Sequence, residues 1–183
     1  MKNQKERNLS LLNINCIIED YLNSLKTFGE TIQGKYGLAL LHAVKRDKLD
    51  DGPYPGVTFF EASNRIMSDL VILYGVEYLL RNSIFPFTEY AVELGNENKK
   101  YCDLKAISSN ALLVGEAFNV APSFFQGKKT HALKKLNTNF NEAKYRLLMF
   151  NSDAIDASYK PRYNNSTYYV IVNIASKNVM VVQ

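Results

Sequence analysis

The chain has 183 residues and a mass of 20.8 kDa, with 46% hydrophobic and 22% charged residues, nine Gly, five Pro and no Trp. A domain of this length buries about 70% of the surface its unfolded chain exposes, so it needs neither disulfides nor a structural metal, and its composition excludes disordered and collagen-like classes. The longest apolar runs, such as Tyr168 to Val172, fall far short of the roughly 20 residues that span a bilayer, and a net charge of +4 does not by itself imply a polyanionic partner.

The polar start, Met1 to Asn8, has no apolar leader with a small-residue cleavage site behind it, which predicts a cytoplasmic protein. Cys16 and Cys102 lack the spacing of a zinc or redox pair and are expected to be reduced and buried. Leu11, Ile14, Ile18, Tyr21, Leu22 and Leu25 recur at helical spacing, and a second apolar series runs through Leu38, Leu40, Leu41 and Ala43. The stretch from Asp50 to Gly56 holds two prolines and two glycines and predicts a loop. Thr58 and Glu61 then have the spacing of a capping box and open a helix that runs to about Arg81.

From Phe87 the pattern becomes strand-like, at 89–94, 101–107 and 112–120, with short polar links that predict an antiparallel meander. A helix over 122–136, a strand at 145–150, a loop with Pro161, and strands at 168–174 and 179–182 follow. The whole chain reads as one domain, helical over 1–82, with a sheet-containing core over 87–183. Seven lysines between Lys99 and Lys135 face only two acids, Asp103 and Glu116, a local charge of +5. A polyanion is drawn there; a solvated lysine-rich helix face explains the same charge.

Asp103 and Glu116 each interrupt an apolar strand, where acids are depleted and costly to bury. If Ser109 and Asn110 form a two-residue hairpin turn, the register puts Asp103 opposite Glu116 and Lys105 opposite Val114. Two facing carboxylates repel, and a divalent cation turns that repulsion into a clamp. Magnesium, with its preference for hard oxygen ligands and substrate phosphate, suits such a pair. The competing reading is a solvent-facing acid, or one paired locally with Lys99, Lys100 or Lys105.

With these residues, Asp103 in Tyr-Cys-Asp-Leu-Lys-Ala and Glu116 in Val-Gly-Glu-Ala-Phe-Asn-Val, the stretch from about Glu89 to Phe150 and the helix before it resemble the PD-(D/E)XK nuclease superfamily, the fold of many type II restriction endonucleases. The resemblance implies an α/β fold with a mixed central sheet flanked by helices. It also implies a magnesium-dependent endonuclease acting on double-stranded DNA, in which Asp103, Glu116 and the backbone carbonyl of Ala117 hold Mg2+. Cutting both strands of a symmetric site implies a homodimer.

Cys102 replaces the proline of the family's motif, and Phe118 replaces its lysine. Lys105 is the preferred substitute on geometry, Lys128 and Lys129 are alternatives that could equally be phosphate contacts, and Asn119 is the weakest. Glu61 resembles the acid that some restriction enzymes bring from a preceding helix, although the capping box and an i,i+4 ladder of Glu61, Arg65 and Asp69 also account for it. Lys128, Lys129, Lys134 and Lys135 are expected to bind the DNA backbone. Tyr159, Arg162, Tyr163, Tyr168 and Tyr169 form a candidate recognition element, and His42 and His131 carry no metal-site pattern. The alternative, supported by Phe118, is an inactive nuclease fold that binds nucleic acid or protein; a third reading is an interaction protein whose carboxylates make ordinary salt bridges.

Overall fold

The computed structural model describes residues 6–95, 102–161 and 166–183. Among them are seven strands, β1 (Glu6–Ser10), β2 (Glu89–Glu93), β3 (Leu104–Ser108), β4 (Ala111–Phe118), β5 (Tyr145–Asn151), β6 (Thr167–Asn173) and β7 (Asn178–Val182). They lie side by side in chain order in one sheet. The neighbours from β1 to β4 are antiparallel, β4, β5 and β6 run parallel, and β7 returns antiparallel to β6. The sheet is mixed, as expected, and the meander is β2, β3 and β4.

β1 corrects the expectation of a purely helical start. It pairs with β2 over its full length. Asn13 closes the turn after it, accepting from the Ser10 N–H at 2.9 Å and donating to the Asn8 carbonyl at 2.8 Å. Helix α1 (Ile14–Asn23) then buries Ile14, Ile18 and Tyr21, and α2 (Gly37–Lys45) buries only Ala43. In α3 (Phe59–Arg81), Thr58 Oγ1 accepts the Glu61 N–H at 3.2 Å, half of the expected capping box, and the helix ends at Arg81 as predicted.

This helix, about 35 Å long by its 23 residues, crosses one face of the sheet, with α1 and α2 packed on it. Gly75 permits the approach. A Cβ there would stand 3.2 Å from Met149 Sδ and Cε on β5, so even alanine would require the Met149 side chain to shift. The core on this face joins Leu9, Ile66, Leu73, Val92, Leu104, Leu113, Leu147 and Val170, so residues from both ends of the chain share it.

Asp69 on α3 is 1% exposed. Its Oδ2 accepts from the Tyr21 hydroxyl at 2.6 Å and from the Tyr54 hydroxyl, and its Oδ1 accepts from the Gly95 N–H at 2.9 Å. The expected surface ladder is therefore corrected to a single rung, Arg65 to Glu61 at 2.6 Å. Asp69 instead ties α1, the 50–56 loop and the end of β2 to α3.

Helix α4 (Pro122–Asn139) packs on the other face through Phe125, Ala132 and Leu136, against Phe118, Leu148 and Phe150 and against Val114. It packs mainly on β4 and β5. On this same face Lys105 and Ile107 of β3 are exposed. Cys16 is exposed and Cys102 half-buried, which corrects the expectation that both are buried; both are free thiols. Among the described residues no helix is long and apolar enough to cross a membrane.

Candidate active site

Ser108 pairs with Ala111, Lys105 with Val114 and Leu104 with Gly115, which is the register expected from a two-residue turn at Ser109 and Asn110. Asp103 sits one residue beyond the ladder. Its N–H donates to the carbonyl of Gly115 at 2.9 Å, the residue that also pairs with Leu104. Gly115 makes this crowding possible, because a Cβ there would lie 1.9 Å from Leu104 Cδ2 and 3.1 Å from Leu147 Cβ.

The Asp103 carboxylate folds onto β4, where Oδ2 accepts the Ala117 N–H at 2.7 Å. Asp103 is 8% and Glu116 9% exposed, so two acids share one poorly hydrated pocket. Burial, then the Glu116 charge, push the Asp103 carboxyl up to about 7, against the pull of the Ala117 N–H and Lys135. Burial raises Glu116 as well, and Lys135 opposes it. A carboxyl raised toward neutrality, as that of Asp103 is, can exchange protons near pH 7.

Lys135 supplies the cation. Its Nζ lies 2.7 Å from Glu116 Oε1 with both side chains largely buried. Helix α4 carries Lys128 and Lys135 two turns apart on one side, and the charge of Lys128 also acts on Glu116. Phe118, where the family resemblance expects lysine, is 6% exposed and stacks on Phe150 at 5.9 Å between centroids, with Phe125 tilted at 6.3 Å. The phenyl ring thus joins α4 to the sheet, and the amine beside Glu116 comes from α4.

The other candidate residues are dispersed. Lys105 is exposed on β3, opposite Val114, and is not among the charges that act most on Asp103. Lys129 turns to the far flank of α4, over the rings of Phe125 and Tyr159 at 5.5 and 5.4 Å, and Lys134 faces outward. Asn119 donates its N–H to Ser68 Oγ at 3.2 Å, toward α3. The carboxylate of Glu61 pairs with Arg65 and is not among the charges that act most on Asp103, which are Glu116, Lys135 and Glu93. Ala117 meets the pair through its N–H.

The tyrosines expected in a recognition loop are packed instead. Tyr159 lies edge-on to Phe125 at 5.3 Å, Tyr168 edge-on to Phe85 at 4.9 Å, and Tyr169 is 5% exposed. Arg162 and Tyr163, like Lys99, Lys100 and Tyr101, lie outside the described residues. His42 Nδ1 is 3.2 Å from Asp47 Oδ1 on the surface, and His131 is exposed.

Sequence reasoning missed two participants. Lys135 was grouped with backbone-binding lysines, although its seven-residue spacing from Lys128 signals a shared side. Glu93 adjoins Asp103 through its N–H, which donates to the Asp103 carbonyl at 2.9 Å, and its charge adds to the upward push on Asp103. Among the described residues no three His, Cys, Asp or Glu side chains are grouped to hold a metal ion, so a cation here would rest on the two carboxylates and complete its shell with water or phosphate. No family model, curated protein or solved structure gives a significant match to the chain.

Proposed function

We propose that this chain binds nucleic acid on a restriction-endonuclease-like scaffold and hydrolyses phosphodiester bonds with Mg2+ at Asp103 and Glu116. The observation that carries this reading is the buried acid pair on neighbouring strands with Lys135 Nζ 2.7 Å from Glu116 Oε1. Two hard carboxylates fit magnesium, which when bound would polarise the phosphate and acidify a water. The Ala117 carbonyl is a further ligand that the family resemblance implies.

The chain's own groups have distinct parts. The Ala117 N–H holds the Asp103 carboxylate in place. The proton that the attacking water loses passes to bulk solvent, because a carboxylate that holds the cation stays ionised. The Lys135 ammonium, next to Glu116, stabilises the negative charge that grows on the phosphoryl oxygens. Water oxygen forms the new P–O bond, one ester P–O bond breaks, and the leaving oxygen takes up a proton. Exposed lysines such as Lys128 and Lys134 hold the strand electrostatically.

A second reading, binding without cleavage, is favoured by Phe118 in the aromatic core and by the neutralisation of Glu116 by Lys135. Plasmid nicking with Mg2+, run beside DNA binding, separates the two. The nuclease reading expects nicking that falls at least about 100-fold in Asp103→Ala, Glu116→Ala and Lys135→Ala, the usual scale for removing one charge-stabilising group. Salt-sensitive binding with no nicking by the wild type selects the second reading. Nicking that survives both acid substitutions removes the proposed site.

A further inference from the structure

The side of α4 that faces the acid pair carries Phe124, Lys128, His131 and Lys135. Their i, i+4, i+7, i+11 spacing confines them to about 60° of the helix surface. Lys135 fixes where this stripe points, since it meets Glu116 at 2.7 Å, and Lys128 acts on the same carboxylate. Across from it, β3 leaves Lys105 exposed. The acid pair therefore lies beside α4, and the step from this helix down to the exposed Lys105 and Ile107 of β3 makes a shallow, one-walled trough.

Phe124 is 68% exposed, whereas the adjacent Phe125 is 6% exposed and packed on Phe150. A single exposed ring is ordinary on a protein surface. This one continues a line of cations that leads out of the acid pair, one helical turn or about 6 Å beyond Lys128 along the axis. No acid stands between Glu116 and Glu142, and Ala121 gives α4 no side-chain cap, so the positive end of the helix dipole lies at the Phe124 end of the trough. A polyanion that carries aromatic faces is complementary to that alternation of cations and a ring.

We infer that the trough takes a single-stranded segment of polynucleotide, with Phe124 stacked on an unpaired base and Lys128 on the phosphate leading to Asp103 and Glu116. This rests on the nucleic-acid reading above. In a duplex each base is covered on both sides by its neighbours, so a protein ring at the trough's end gains a partner only where bases are unpaired. Phe124 is then a specificity-determining residue that selects frayed, gapped or single-stranded substrate over intact duplex.

Fluorescence anisotropy with one labelled oligonucleotide, single-stranded and annealed to its complement, in EDTA, tests the inference. The wild type is expected to bind the single strand more tightly. Phe124→Ala should lose about 5- to 100-fold of single-strand affinity, the range for one base–aromatic stack, with duplex affinity changed less than about two-fold. Phe124→Trp should retain the preference, and an unchanged circular dichroism spectrum verifies folding of each variant. Equal affinity for both forms, or single-strand affinity indifferent to Phe124→Ala, overturns it. If Lys128→Ala still weakens binding and flattens its salt dependence in that case, the nucleic-acid reading survives alone; if neither oligonucleotide binds, both fall.

Discussion

Burial of Asp103 gives the stability of this protein a pH dependence. Its folded-state carboxyl is raised to about 7 by burial and by Glu116, whereas in the unfolded chain it titrates as an ordinary aspartate. The folded state therefore holds more protons between roughly pH 4 and 7, and this group's contribution to stability falls as pH rises through that window. Metal-free protein should lose on the order of 2 kcal/mol from this source between pH 5 and 8, several degrees in Tm. Asp103→Asn should abolish most of that loss, because its amide oxygen still accepts the Ala117 N–H. If the pair holds magnesium as proposed, the metal should raise Tm more at pH 8 than at pH 5, and only in the wild type. Differential scanning calorimetry of the two proteins checks this; identical pH profiles would contradict it.

At the same scale, the two strand acids were legible because each breaks an apolar run. Lys135 was not, because its role depends on the azimuth of α4 about its axis, which Leu136 and Phe125 set by packing on the sheet. Phe118 also reads differently in three dimensions. It is a core residue, stacked on Phe150, and a lysine in its place would bury an amine among rings.

Strand β4 holds the site through Gly115, whose missing side chain admits Leu104 and lets Asp103 donate to the same carbonyl. Gly115→Ala forces Leu104 to move, with an expected cost of about 1–3 kcal/mol, and displaces Asp103 from Ala117. Chemical denaturation would show the loss, and an unchanged midpoint would contradict it. The Asp69 knot is the other element-scale constraint. Asp69→Ala leaves two tyrosine hydroxyls and the Gly95 N–H without their acceptor and should cost about 3 kcal/mol or more, whereas Tyr54→Phe removes one donor and should cost about 1–2 kcal/mol. Equal losses in the two variants would contradict the place of Asp69 as the acceptor that all three donors share.

The hairpin register from Ser108 to Leu104 was legible because a two-residue polar turn admits one pairing, and the start of α3 because Thr58 and Glu61 have capping spacing. Two features were not. In β1 only Leu9 is apolar, so no alternation marks it as a strand, and its partner β2 lies some 80 residues on. For Asp69, the i,i+4 spacing with Arg65 is the same on a wet face as on a buried one; only the arrival of Tyr21 and Tyr54 distinguishes them.

For the molecule as a whole, helical cover is unequal on the two faces. One face is covered by α3 with α1 and α2 behind it, and the other has α4 over β4 and β5 with β3 left bare. That asymmetry makes a trough, and the acid pair lies where the cover stops. The local charge of +5 predicted a basic surface, but the structure divides it. Lys128 and Lys135 serve the trough, Lys129 packs on Phe125 and Tyr159, and Lys134 faces outward. Composition cannot make that division, because it follows from the helical phase of α4.

In the proposed function Asp103 and Glu116 together hold a divalent cation. A crystal soaked with manganese tests it most directly, through the anomalous signal of the metal. An anomalous peak bridging the two carboxylates, absent from crystals of Asp103→Asn, is the expected result. No peak at the pair in manganese-saturated crystals, with Lys135 still against Glu116, would contradict it.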